Sequence, residues 1–255
     1  MMDTILYKYL DFDGGLAMLK NHNLQFTNAT KFNDPFDCHP ALFDYSNVPA
    51  HRKQWLPAEF VSFMEKKNME NLRNETWICS LSKVNDSLLM WSYYNNHKGI
   101  CIGLNKDAVI KSCQHKFIGV VFPVAREVQY KDVLQKPDFF NDHPSLTDLL
   151  LTKAKVWEHE KEVRLITQHP LWVNAGRNVP KDLEDEETVD VKEIRYYPTL
   201  TKDCFESVYL GVNMLPKKIK EIIMVARTLN PDIKIYQIET NPETFSLKAE
   251  LIKPL

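Results

Sequence analysis

The stretch "WEHEKEVRLI", residues 157–166, carries the densest chemistry in the chain. Read as a strand that begins near Glu160, it sends Glu160, Glu162 and Arg164 to one face and Val163 and Leu165 to the other, because successive side chains of a strand alternate. Carboxylates that close raise each other's proton affinity, and a neighbouring guanidinium lowers it again. Such a group can hold a ribose hydroxyl, steady a developing cation or polarise a nucleophile. A competing reading makes the same residues a solvated, salt-bridged strand face. A third runs a helix past Trp157, with Glu158 and Glu162 paired four residues apart.

Two further stretches bring polar and aromatic side chains together. In "CSLSKVNDSLLMWSYYNNHKGICIGL", residues 79–104, Tyr94, His97 and Lys98 fall at the end of an expected helix. There they reach an anionic ligand or satisfy the last helical carbonyls. Ser80 and Ser82 end the preceding strand and point to the same space, whereas Trp91, at helical spacing from Leu88, is expected to pack in the core. In "FNDPFDCH", residues 32–39, Asn33 and Asp34 before Pro35 make a turn, since both side chains bond local amides and proline fixes the next angle. Phe32 and Phe36 are expected to anchor that turn. Asp37 and His39 remain as polar side chains, and Asn33, Asp34 or Asp37 would face a cleft that the turn frames. The spacing matches no familiar metal-ligand motif, and no metal is expected.

The elements that must position these residues follow from hydrophobic period. "TILYKYLDF" reads as a strand with Tyr7 and Tyr9 on one face and Leu6 and Lys8 on the other. A short helix is expected from Gly14 and Gly15, with "LQF" as a strand after it. Residues 58–74 read as an amphipathic helix with Phe60, Val61, Met64 and Leu72 as its apolar stripe. "TWICSLS", "GICIGL" and "FIGVVFPVAREVQY" are rich in aromatic and β-branched residues and read as strands. "DSLLMWSYYNN" reads as a helix capped by Asp86, burying Leu88, Leu89 and Trp91. "SLTDLLLTKAKVWEHE" reads as one helix capped by Ser145, followed by the strand "KEVRLIT". The acidic run at residues 184–187 reads as a solvated loop. "SVYLGVN", "PKKIKEIIMVARTL" and "IKIYQIE" form a strand–helix–strand unit, with Pro216 in the first helical turn. The order predicts an α+β fold, one domain over residues 1–255 with residues 203–255 as a strand–helix–strand portion. Its sheet is mixed and mainly antiparallel, flanked by helices.

The 255 residues suffice to bury roughly 70–75% of the unfolded surface. Lys and Arg number 32 against 34 Asp and Glu, a net charge of -2, so no whole-chain polycation is offered to nucleic acid. No apolar run approaches the ~20 residues that span a bilayer, and no membrane partner is expected. The five cysteines form no close pairs, which predicts reduced thiols in a cytoplasmic protein. GxGxxG, P-loop, GxSxG and HExxH motifs are all absent from the sequence.

In this order, "LYKY", "FNDPFDC", "SLLMWSYYNNHKGICIGL" and "WEHEKEVRLI" resemble the signature stretches of a bacterial family of unknown function. A second resemblance is to ADP-ribosyltransferase-like enzymes. "LYKYLDFDGGLAMLKNHNLQFTNATKF" is similar to their first motif, "CSLS" to their serine-bearing strand, and "EKE" to their closing glutamates. This likeness implies Lys8 at the position of the usual arginine or histidine, Ser80 in the middle motif, and Glu160 or Glu162 as the catalytic glutamate. It further implies NAD as co-substrate, with Tyr7, Tyr9 or Tyr94 against the nicotinamide and Lys8 or Arg164 at the pyrophosphate. The acceptor would be a macromolecule or water, and the setting a bacterial toxin or phage-defence effector. Lysine in the first motif departs from the family pattern. Two other readings stand beside this one: a metal-dependent nuclease built on Asp34, Asp37, Glu160 and Glu162, and a module that senses a nucleotide or peptide without turning it over.

Overall fold

A computed structural model describes residues 5–114, 124–168, 195 and 197–253. The acidic run at residues 184–187 and the start of the expected strand "FIGVVFPVAREVQY" lie outside them. The chain opens with β1 (Ile5–Leu10), α1 (Phe12–Asn21) and the two-residue β2 (Thr27–Asn28). Then come α2 (Ala50–Lys53), α3 (Ala58–Asn74), β3 (Thr76–Ser82), α4 (Leu88–Asn95), β4 (Ile100–Asn105) and α5 (Lys106–Gln114). The middle holds β5 (Val124–Glu127), β6 (Gln129–Lys131), α6 (Leu146–Leu151), β7 (Thr152–Ala154) and β8 (Glu162–Gln168). β9 (Phe205–Leu210), α7 (Pro216–Leu229), β10 (Lys234–Thr240) and β11 (Leu247–Leu251) complete it.

The strands form one sheet in the order β11-β10-β9-β4-β1-β3-β8-β5, with β2 on β3, while β6 and β7 pair separately. Among the described strands of the large sheet only β9 and β10 run parallel, and α7 connects them. The fold is therefore α+β with a mixed, mainly antiparallel sheet. One face is covered by α1, α5 and α7, where Leu6, Leu19, Ile102, Leu104 and Ile222 are almost fully buried. On the other face, Met90 and Trp91 of α4 pack against Tyr9, Cys101 and Tyr209. A further apolar cluster, including Val61, Met69, Ile78 and Leu149, ties α3 and α6 to the sheet.

The sheet is nearly two sheets. β1 pairs with β4 along all of its length, and β3 pairs with β8 along all of its own. β1 and β3 meet in register at one position, Tyr7 opposite Ser82. Past that point the strands part.

Several local expectations are corrected. α1 starts at Phe12, because Asp11 accepts from the Gly14 amide and caps it, rather than at Gly14 and Gly15. Ser87, not Asp86, caps α4, and Leu88 and Leu89 stay exposed while Met90 and Trp91 are buried. α3 has the expected bounds, yet Phe60 and Met64 face solvent. The helix expected to run from Ser145 to Glu160 stops at Leu151. Ser145 does cap it, through a reciprocal pair of bonds with Asp148. Residues 152–154 then leave the helix to pair with β6, and a 3-10 turn at Lys155–Glu160 leads into β8.

Candidate active site

A cavity of about 260 Å³ opens where β1 and β3 part. Tyr7, Lys8 and Tyr9 form one lip and Ser80, Leu81 and Ser82 the other. Lys8 spans the gap: its ammonium donates to the Ser80 carbonyl at 2.9 Å, taking a place that strand pairing leaves open. Tyr94 and Met90 of α4 reach in from above the sheet, and Phe32, Asn33 and Asp37 come from the loop after β2. The far wall is Lys153, Glu160 and Glu162.

That wall is a buried ionic network. Arg164, fully buried, grips Asp37 with both terminal nitrogens, at 2.8 and 2.7 Å, and Glu162 through Nε at 2.8 Å. It also donates to the Leu150 carbonyl, and its guanidinium lies over the Phe32 ring at 5.1 Å. Lys153 Nζ donates to Glu162 at 3.0 Å and to Glu160 at 2.5 Å, and stands 3.9 Å from Asp37. The Tyr94 hydroxyl donates to the other oxygen of Glu160 at 2.7 Å. An isolated buried charge is prohibitively expensive, so these groups persist only as a set.

The set fixes the protonation states. Burial alone would raise the Glu162 carboxyl, but the Arg164 and Lys153 charges override it and hold it at about 2. Burial would likewise lower Lys153, and its carboxylate partners Glu162 and Glu160 raise it instead. Tyr94 is pushed above the usual phenol range by burial and then by Glu160, so it remains a donor. Burial pushes the Cys38 thiol up as well, against the Arg164 charge. Cys38 sits at φ 55, in the left-handed region that non-glycine residues rarely occupy. Strained backbone of this kind tends to gather at sites that the surrounding structure over-determines.

Glu162 and Glu160 differ in what remains open to a ligand. Glu162 accepts from Arg164 at one oxygen and from Lys153 and Arg164 at the other, with the Ser80 side chain also bonded to it. Glu160 accepts one bond at each oxygen. A carboxylate offers about four lone-pair sites, so Glu160 keeps spare accepting capacity at the cavity wall.

Of the residues singled out by sequence, Lys8, Ser80, Ser82, Glu160, Glu162, Tyr7, Tyr9, Phe32, Asn33, Asp37 and Tyr94 line this one cavity. Arg164, Asp34, His97 and Lys98 do not. Arg164 lies behind the wall with its donors spent on Asp37, Glu162 and Leu150, so it is corrected from a pyrophosphate ligand to an internal brace. Asp34 accepts from the Phe36 amide and shapes the turn. His97 and Lys98 follow the α4 cap and belong to the turn into β4, where the His97 carbonyl accepts from Asn213. Phe36, expected to anchor the loop, is 56% exposed; Phe32 alone packs inward. Glu160 and Glu162 do not share a strand face, because Glu160 ends the 3-10 turn and Lys161 reverses the backbone at φ 44 before β8 begins. Both carboxylates reach the cavity by different routes.

Lys153 went unread in the sequence. An isolated lysine in a run that looks helical carries no signal, and only the non-local pairing of β7 with β6 brings it to the glutamates. Among the described residues, no cluster of three or more His, Cys, Asp or Glu side chains is arranged to hold a metal.

No curated protein and no solved structure matches the chain. Residues 90–165, from within α4 to within β8, match the family described as "Protein of unknown function (DUF2971)". The resemblance to a family of unknown function therefore holds over the segment that supplies Tyr94, Lys153, Glu160, Glu162 and Arg164 to the site.

Proposed function

We propose that the chain is an ADP-ribosyltransferase-like enzyme that cleaves the nicotinamide–ribose bond of NAD, passing the ADP-ribosyl group to an acceptor or to water. The observation that carries this reading is the meeting of Lys8, Ser80, Glu160 and Glu162 in one cavity at the parting of β1 and β3. These are the positions that the family resemblance assigns to its three motifs.

The chemistry is consistent with the geometry. Loss of nicotinamide leaves an oxocarbenium-like ribose, which an ionised carboxylate on the sugar stabilises, as in glycosidases. Glu160 has the spare lone pairs for that contact. Glu162, saturated by Arg164, Lys153 and Ser80, anchors the wall and fixes Lys153, which in turn aims Glu160. Tyr7, Tyr9 and Tyr94 supply ring surface for the nicotinamide, and Lys8 a cation for the phosphates. The cavity is at the small end for a ligand pocket, fitting one ring and its sugar rather than the whole dinucleotide.

The nuclease reading draws less from this arrangement, since Asp34 lies away from the cavity and both oxygens of Asp37 are taken by Arg164. Incubation with NAD, following free nicotinamide, tests the proposal. Release that persists with a chelator and falls about 100-fold in Glu160→Gln supports it. Stabilisation by NAD without release would favour the sensing module, and chelator-sensitive cleavage of nucleic acid the nuclease.

A further inference from the structure

Helix α3 is apolar on two opposite sides. Val61 and Met69 face the core. Phe60, Phe63 and Met64, at i, i+3 and i+4, lie on the other side and are 47%, 61% and 40% exposed. Residues 50–57 just before the helix are exposed throughout, and α2 within them buries nothing. Within that segment Trp55 is 85% exposed, with Leu56 beside it. Together these side chains present an apolar patch on the order of 500 Å², at the upper end of what a soluble monomer leaves uncovered.

Charge indicates what covers it. Residues 50–70 carry four cations, Arg52, Lys53, Lys66 and Lys67, against Glu59, Glu65 and Glu70, a small positive excess in a chain that is net negative at -2. Arg52 is paired with Glu65 and Lys67 with Glu70, while Lys53 and Lys66 are exposed in the same segment. An exposed tryptophan with phenylalanines and methionine, in a segment that also carries exposed lysines, is the composition that seats in the interfacial zone of a bilayer. A patch of this size suffices to insert into a soft surface, whereas a second folded copy needs about 800 Å² of matched area on each side.

We propose that the segment from α2 through the first half of α3 is a docking surface for an anionic lipid bilayer. Trp55, Leu56, Phe60 and Phe63 enter the boundary between headgroups and acyl chains, and Lys53 and Lys66 meet the anionic headgroups. Among the described residues, no helix is long and apolar enough to cross a membrane. Peripheral docking departs from the sequence expectation of no membrane partner. The proposal is independent of the reaction at the cavity.

Co-sedimentation of the full chain with phosphatidylcholine vesicles, with and without phosphatidylglycerol, tests it. The expected result is binding to the anionic vesicles, weakened by salt and at least about tenfold weaker in Trp55→Ser/Phe63→Ser, whose far-UV spectrum stays native because both side chains are exposed. Lys53→Glu/Lys66→Glu should lose the preference for anionic lipid. Absence of binding to either vesicle, or unchanged binding in the Trp55/Phe63 variant, overturns the proposal. So does a concentration-dependent dimer that the same variant abolishes in a protein that ignores vesicles, which would assign the patch to a second copy.

Discussion

β8 and β11 carry the same kind of charge pattern and put it to opposite use. On β8, Glu162 and Arg164 stand two residues apart on one face. On β11, Lys248 and Glu250 do the same, and Lys248 also reaches Glu239 on β10 at 3.2 Å. The β8 charges and their partners Asp37 and Lys153 are 1–8% exposed at the side chain, whereas the β11 set is 41–57% exposed. Strand position makes the difference. β8 is flanked by β3 and β5 and overlain by the Asp37 loop, while β11 is an edge. Water has already solvated the β11 ions, so their pairing adds little. The β8 ions have only one another.

Arg164→Met is the strongest way to break this comparison. It leaves Asp37 and Glu162 short of a counter-charge in the interior, and denaturant unfolding should show a loss of about 3–5 kcal/mol. Lys153→Met should follow with about 2 kcal/mol, because Arg164 still serves Asp37 and Glu162 and only Glu160 loses its cation. Equal losses in Lys248→Ala would show that burial does not set the worth of these charges.

Acid unfolding sharpens the same point. Glu162 is held at about 2 in the fold, below its ordinary 4.5, so its contribution is present above pH 4.5 and disappears as pH falls towards 2. Stability measured across that window should slope down steeply in the native protein and more gently in Glu162→Gln. Tyr94→Phe is the smallest perturbation at the site, removing one hydroxyl from Glu160, and should lower stability by about 1 kcal/mol in a melt.

Much of the frame was legible in local sequence. The alternation of "LYKY", the β-branched and aromatic run of "TWICSLS" and the Ser145 cap each act within a few residues, and the structure bears them out. So did the polar residues of the Asp37 loop and the two glutamates draw attention by type alone. What could not be read was decided by partners distant in sequence. The 3-4 spacing from Leu146 to Trp157 mimics one helix, yet β6 captures residues 152–154. That capture creates the bend that places Lys153 beside Glu160. Arg164 looked available for phosphate because its cage is built by Asp37, 127 residues away. Phe60 and Met64 looked like core because periodicity reports an apolar face without saying which side it turns to.

In the proposed reaction a carboxylate with spare lone pairs, steadied by buried cations, works on the ribose of NAD in the cleft between β1 and β3. Single-turnover release of nicotinamide by the native chain and by Glu160→Gln tests it most directly, with unfolding curves measured on both. The account predicts release by the native protein and a drop of about 100-fold or more in a variant that keeps its fold. Equal release by the two proteins, or none from the native one, would contradict it.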